Sequence, residues 1–304
     1  MKEKIYDIKS LNKMRCIAGL IMSSIMVCLV FFVVVLSSAN YYKEEGSEVG
    51  LGTFRMFTTI SNILVGGGAL LTIPFQIDGL RKKNYHLPRW IIDIIYIGVT
   101  GVALTFVFAS TGTSFAIGFK EAMLSKGNLF FHFINPVMAI TLFTFINCDH
   151  NIKFYKSLLT LIPIVIYGII YFILVIAIGE EKGGWRDVYQ FNTVIPWYVT
   201  LIFVLSLAFG ISNLLRYLHN IKHRNFRNSL IRYYMKSPIY EKESIEEAIK
   251  TFAYNEVLDY RGGDINIPTR LLNNFKERYQ SDKTINELSN IYVNHFLNLL
   301  DSRE

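Results

Sequence analysis

Cysteine is scarce in this chain, and what there is has no pattern. Cys16, Cys28 and Cys148 show no CxxC spacing, and two of them lie in or at the edge of the first apolar run, which argues against a disulfide framework or a zinc ribbon. The six histidines, His86, His132, His150, His219, His223 and His295, show no metal-ligand spacing either. His219 and His223 stand at i, i+4 but lack acidic or cysteine companions, so no metal site and no cofactor is expected. The halves of the chain show no internal repeat and no pair of broken midplane helices, which weighs against a secondary transporter, although Pro136, Pro163 and Pro196 leave room for kinks.

Apolar residues, by contrast, are abundant and come in blocks. The 304 residues are 52% hydrophobic with a mean hydropathy of +0.32, and the blocks are about 20 residues long, the length needed to cross a hydrocarbon core of about 30 Å. The expected fold class is therefore all-α: a polytopic membrane protein with six transmembrane helices. The spans are placed at about 16–38, 54–75, 89–110, 129–147, 156–179 and 194–218. The first is read as an uncleaved anchor, because its run exceeds the usual signal-peptide core. In a soluble protein a net charge of +7 would suggest nucleic acid. Here the basic residues flank the spans, so no nucleic acid is expected and anionic lipid headgroups are the partner.

Lys and Arg crowd one set of flanks. The leader (Lys2, Lys4, Lys9, Lys13, Arg15), the 76–89 loop and the stretch from Arg216 to Lys236 carry most of them. The other flanks hold Lys43, Lys120, Lys126, Lys182 and Arg186. The positive-inside rule then puts both termini in the cytoplasm of a plasma-membrane protein. Domain 1–222 is the membrane unit. Residues 223–304 form a small cytoplasmic helical tail, with capping boxes at Ser244–Glu247 and Thr284–Glu287 and a turn at Arg261–Asp264.

One apolar span is interrupted by a polar stripe. In Phe54-Arg55-Met56-Phe57-Thr58-Thr59-Ile60-Ser61-Asn62, helical spacing puts Thr58, Ser61, Asn62 and Val65 on one face, which cannot face lipid cheaply. His132, near the start of the fourth span, falls at about the same depth. The stretch Gly184-Trp185 to Tyr189-Gln190-Phe191 lies on that side too, which orientation makes the outer leaflet. A hydroxyl nucleophile needs a base within reach, and histidine serves best near neutral pH. Against this, Thr58 and His132 can act simply as helix-to-helix glue, and Trp185, Trp197 and Tyr189 as interfacial anchors. Asp93, four residues after Arg89, reads as a helix-surface ion pair, and beyond Asp93, Asn147 and Asn213 the inner ends of the spans show little polarity.

These three stretches together resemble the androgen-induced-gene family of six-span membrane hydrolases, over about residues 10–222. The resemblance implies an intramembrane threonine hydrolase that cleaves fatty acyl esters of hydroxy fatty acids, with Thr58 as nucleophile and His132 as base. The adjacent Thr59 leaves the nucleophile's identity open by one residue. Asn62 and Asn135 are candidate oxyanion donors, and Arg55 a candidate holder of a substrate carboxylate or phosphate. No carboxylate is placed by sequence to orient His132. Two alternatives stay open: an acyltransferase using the same Thr/His pair, and a non-enzymatic lipid-binding or transport protein.

Overall fold

A computed structural model describes residues 8–39, 50–82, 87–148, 150–189, 191 and 196–235, and every regular element among them is helical. The expected C-terminal appendage lies outside the described residues. Six helices are long and apolar enough to cross a membrane. They are α1 (Ile8–Ser38), α2 (Phe57–Lys82), α3 (Arg89–Thr113), α4 (Lys126–Ile146), α5 (Lys156–Ile178) and α6 (Trp197–Met235).

Two boundaries differ from the sequence reading. Residues Gly50–Arg55 form a separate 3-10 turn, so α2 begins at Phe57 and Arg55 is not on the Thr58 helix. α6 runs unbroken past 218 and 222 to Met235, so the membrane unit and the tail are not divided by a helix end there.

α3 is the centre of the bundle. It packs against α2, α4 and α6, while α1 lies on α2. In α3, 67% of the apolar window is buried, against 17% in α5 and α6, whose outward faces carry Ile166, Ile169, Ile202 and Phe203. A helix apolar all round but buried on one side only has its other side made for lipid. The core is built by Ile91, Ile92, Tyr96, Val99 and Val102 of α3 with Met26, Val65 and Phe143.

α2 and α3 approach closely at one point. A Cβ on Gly98 would stand 2.9 Å from Val65 Cα and 3.0 Å from Val65 N, so backbone meets backbone there. Without a hydrophobic force between helices in lipid, such small-residue contacts supply the packing.

The ends opposite Thr58 are richer in polar contacts than the sequence suggests. The Tyr96 hydroxyl lies 2.9 Å from Ser157 Oγ and donates to the Ser212 carbonyl at 2.8 Å, tying α3, α5 and α6. His219, fully buried, faces the Phe143 carbonyl through Nδ1 at 2.8 Å and the His150 carbonyl through Nε2 at 2.9 Å. Both it and His223 are buried on α6, which continues past 218, where the sequence reading ended the span. Asp93 pairs across helices with Lys156 Nζ at 2.5 Å, a partner that the i, i+4 reading with Arg89 does not supply.

Gly98→Ala should lower the thermal stability of the detergent-solubilised protein by about 1–3 kcal/mol, the usual cost of overpacking. Gly67→Ala, on α2 where nothing lies within 4 Å, should be neutral or stabilising in the same melt.

Candidate functional site

α2 starts without a Ser, Thr, Asp or Asn in the capping position. Met56 precedes it, and its carbonyl takes the Ile60 N–H at 3.2 Å. The first N–H groups of the helix therefore need a partner from elsewhere. That partner is Tyr189, from the segment between α5 and α6. Phe57 N–H donates to its phenol oxygen at 2.9 Å. The Tyr167 ring packs against Phe57 with centroids 5.1 Å apart. Tyr167 in turn donates to the Arg55 carbonyl at 2.8 Å.

The segment carrying Tyr189 is held from several sides. Gly179 (φ 74°) and Gly183 (φ 85°) turn the chain back after α5, and Gly184 lies against it so closely that a Cβ would stand 2.1 Å from the Leu174 carbonyl. Trp185 N–H donates to that same carbonyl at 2.9 Å. The Tyr171 hydroxyl donates to Asp187 Oδ1, which also accepts the Phe191 N–H at 3.1 Å. The Tyr189 and Phe191 rings stack with centroids 5.1 Å apart. Tyr189 is thus turned inward onto α2 rather than serving as an interfacial anchor. Withdrawal from water pushes its phenol above the usual tyrosine range, so it stays protonated.

The polar stripe of α2 divides into two jobs. Thr58 faces a cavity of about 620 Å³ between α2, α3, α4, α5 and α6, while Thr59 is 3% exposed and outside the cavity wall. Ser61 and Asn62 turn the other way. Ser61 Oγ donates to the Thr58 carbonyl at 3.0 Å; Asn62 Nδ2 donates to that carbonyl at 2.8 Å and to the Phe131 carbonyl at 3.2 Å. Asn135 Nδ2 donates to Asn62 Oδ1 at 3.0 Å. Asn62 and Asn135 therefore clamp α4 to α2; Asn62 Nδ2 is fully used on two carbonyls, while Asn135 keeps a buried Oδ1 without a partner among the described residues. Arg55 is also outside the cavity wall, with its guanidinium 5.8 Å from the centre of the Trp185 ring.

His132 lines the same cavity as Thr58. It sits in a wide π-helical turn, Leu129–Ile134, a form that recurs at functional sites. Its Nδ1 donates at 2.8 Å to the carbonyl of Ala122, which lies in a short turn that dips back into the bundle with Ala122 and Met123 fully buried. A carbonyl only accepts, so Nδ1 carries the proton and Nε2 the lone pair in the neutral ring. His132 Nε2 makes no hydrogen bond among the described residues, and Thr58 and His132 share the wall without a direct bond.

Apolar side chains, among them Leu104, Phe108, Ile164, Phe172 and Val204, make up most of the cavity wall. Its polar groups include Thr58, Thr105, His132, Tyr167, Tyr171 and Tyr189. Sequence reasoning missed Tyr167 and Tyr171. Their i, i+4 spacing in an Ile-rich span was a signal it could have used. It also had no means of finding the Ala122 carbonyl. Among the described residues no cluster of His, Cys, Asp and Glu could hold a metal ion. No family model, no curated protein and no solved structure matches the chain.

If Asn62 and Asn135 act as one clamp, Asn62→Ala and Asn135→Ala should be non-additive. A double-mutant cycle on thermal unfolding in detergent should give a coupling of about 0.6–2 kcal/mol, the range for polar contacts between membrane helices.

Proposed function

We propose that the protein is an intramembrane threonine hydrolase of fatty acyl esters, related to the androgen-induced-gene family, with Thr58 as nucleophile and His132 as general base. The observation that carries this reading is the shared wall: Thr58 and His132, from different helices, meet at one mostly apolar cavity, with the histidine tautomer fixed by Ala122. The cavity volume falls within the usual range for small-molecule sites, about 300–1,000 Å³. Its apolar wall suits an acyl chain. Catalytic hydrogen bonds are often long before substrate binds, so the missing Thr58–His132 bond is compatible with the role.

In the proposed reaction His132 Nε2 takes the Thr58 proton as Oγ bonds to the ester carbonyl carbon. The ester C–O bond then breaks, and the alcohol leaves with the proton from His132. Water attacks the acyl-threonine, His132 takes its proton, and that proton returns to Oγ as the free acid is released. The distribution of Lys and Arg favours cytoplasmic termini and a site in the outer leaflet of the plasma membrane, with anionic headgroups against the basic flanks. An acyltransferase would use the same first half-reaction and differ only in the acceptor.

A fluorophosphonate probe should label the purified protein in detergent. Thr58→Ala and His132→Ala, at matched thermal stability, should each lose labelling by at least about 10²-fold, the low end for a general-base contribution. Thr59→Ala should keep it. A natural chain that stays unlabelled beside a reactive control hydrolase removes the hydrolase and acyltransferase readings together.

A further inference from the structure

The proposed reaction needs a donor for the oxyanion, and the asparagines read from the sequence are bonded elsewhere. Attack by Thr58 Oγ creates an oxyanion on the carbon to which Oγ has just bonded. The two oxygens are then separated by a single carbon, so a donor beside Thr58 in the cavity wall also stands beside the oxyanion. Of the three tyrosines in that wall, Tyr167 and Tyr171 donate to the Arg55 carbonyl and to Asp187, whereas Tyr189 holds its phenol oxygen against the N–H of Phe57, the residue before Thr58. Its phenol oxygen already accepts the Phe57 N–H, and a hydroxyl that accepts one hydrogen bond becomes a stronger donor in the next.

We propose that the Tyr189 hydroxyl is a catalytic residue of this site, donating a hydrogen bond to the acyl oxyanion that forms on Thr58. The phenol keeps its proton throughout, so the step adds no proton transfer to the reaction. This assignment rests on the hydrolase reading above. It also gives the loop after α5 a purpose: Gly179, Gly183, Gly184 and Asp187 fold it so that a residue between the last two spans reaches the start of the second. Such a donor matters because electrostatic stabilisation of developing charge in a water-poor site is usually the largest single catalytic term.

The test uses the full chain in detergent, with p-nitrophenyl octanoate hydrolysis and the rate of fluorophosphonate labelling as parallel readouts. Tyr189→Phe keeps the ring stacked on Phe191 and removes only the hydroxyl. Its kcat and labelling rate should fall by about 10²–10³-fold, with KM almost unchanged. Because this variant also deprives Phe57 N–H of its acceptor, a second form carries 3,5-difluorotyrosine at 189. That residue still accepts the bond and ionises at lower pH, so activity should acquire a new alkaline limb that a packing role would not produce. The proposal is overturned if Tyr189→Phe retains kcat within about threefold, if only KM changes, or if the fluorinated form shows the natural pH profile. Should Thr58→Ala be inert in that same experiment, the hydrolase reading survives the loss. A natural chain inert to both probes ends both.

Discussion

A helix that begins among apolar side chains with no capping residue of its own must borrow one, and the start of α2 is such a helix. Its unmet N–H groups explain why the chain returns after α5 to lay a tyrosine across them. The loop that delivers the tyrosine needs glycine where the backbone turns to positive φ and where it touches the Leu174 carbonyl, and a carboxylate, Asp187, to hold its own shape. Thr58, the second residue of that helix, is therefore positioned by the same contact that completes the helix.

The second requirement is that polar atoms in an apolar bundle be paired. Asn62 meets it by bonding to carbonyls of α2 and α4 at once and accepting from Asn135, which fixes α4 beside α2. Phe131, whose carbonyl receives Asn62, is the neighbour of His132. The clamp thus sets the height at which the histidine enters the cavity. Further along the same face of α2 the close contact of Gly98 with the Val65 backbone keeps α3 tight against it.

Length and hydropathy made the six spans legible, because both are properties of single segments. Thr58 and His132, singled out by their places in the drawn spans, line one cavity. The start of α2 was not legible: Phe54 and Arg55 look as apolar-flanked as Phe57, and only the preceding 3-10 turn separates them. Asn62 and Asn135 were singled out, but their bond to each other across α2 and α4 was not legible. Which way an amide points is decided by carbonyls on another helix. The Tyr189 contact and the Ala122 acceptor were out of reach for the same reason, since each joins parts of the chain that no local pattern links. The burial of His219 and His223 was not legible because both lie past residue 218, where the apolar run of the sixth span was taken to end.

The choice of a carbonyl to orient His132 has a chemical consequence. In the serine triad an aspartate fixes the tautomer and also stabilises the imidazolium that forms when the hydroxyl proton is taken. The Ala122 carbonyl does the first and supplies only a partial charge for the second. In the proposed reaction the ion pair of imidazolium and oxyanion, among mostly apolar walls, would then depend on whatever donors stand beside the oxyanion. A hydrolase with no carboxylate behind its histidine would place more of its catalysis on that side, which under the proposed reading is where the start of α2 and the Tyr189 phenol converge.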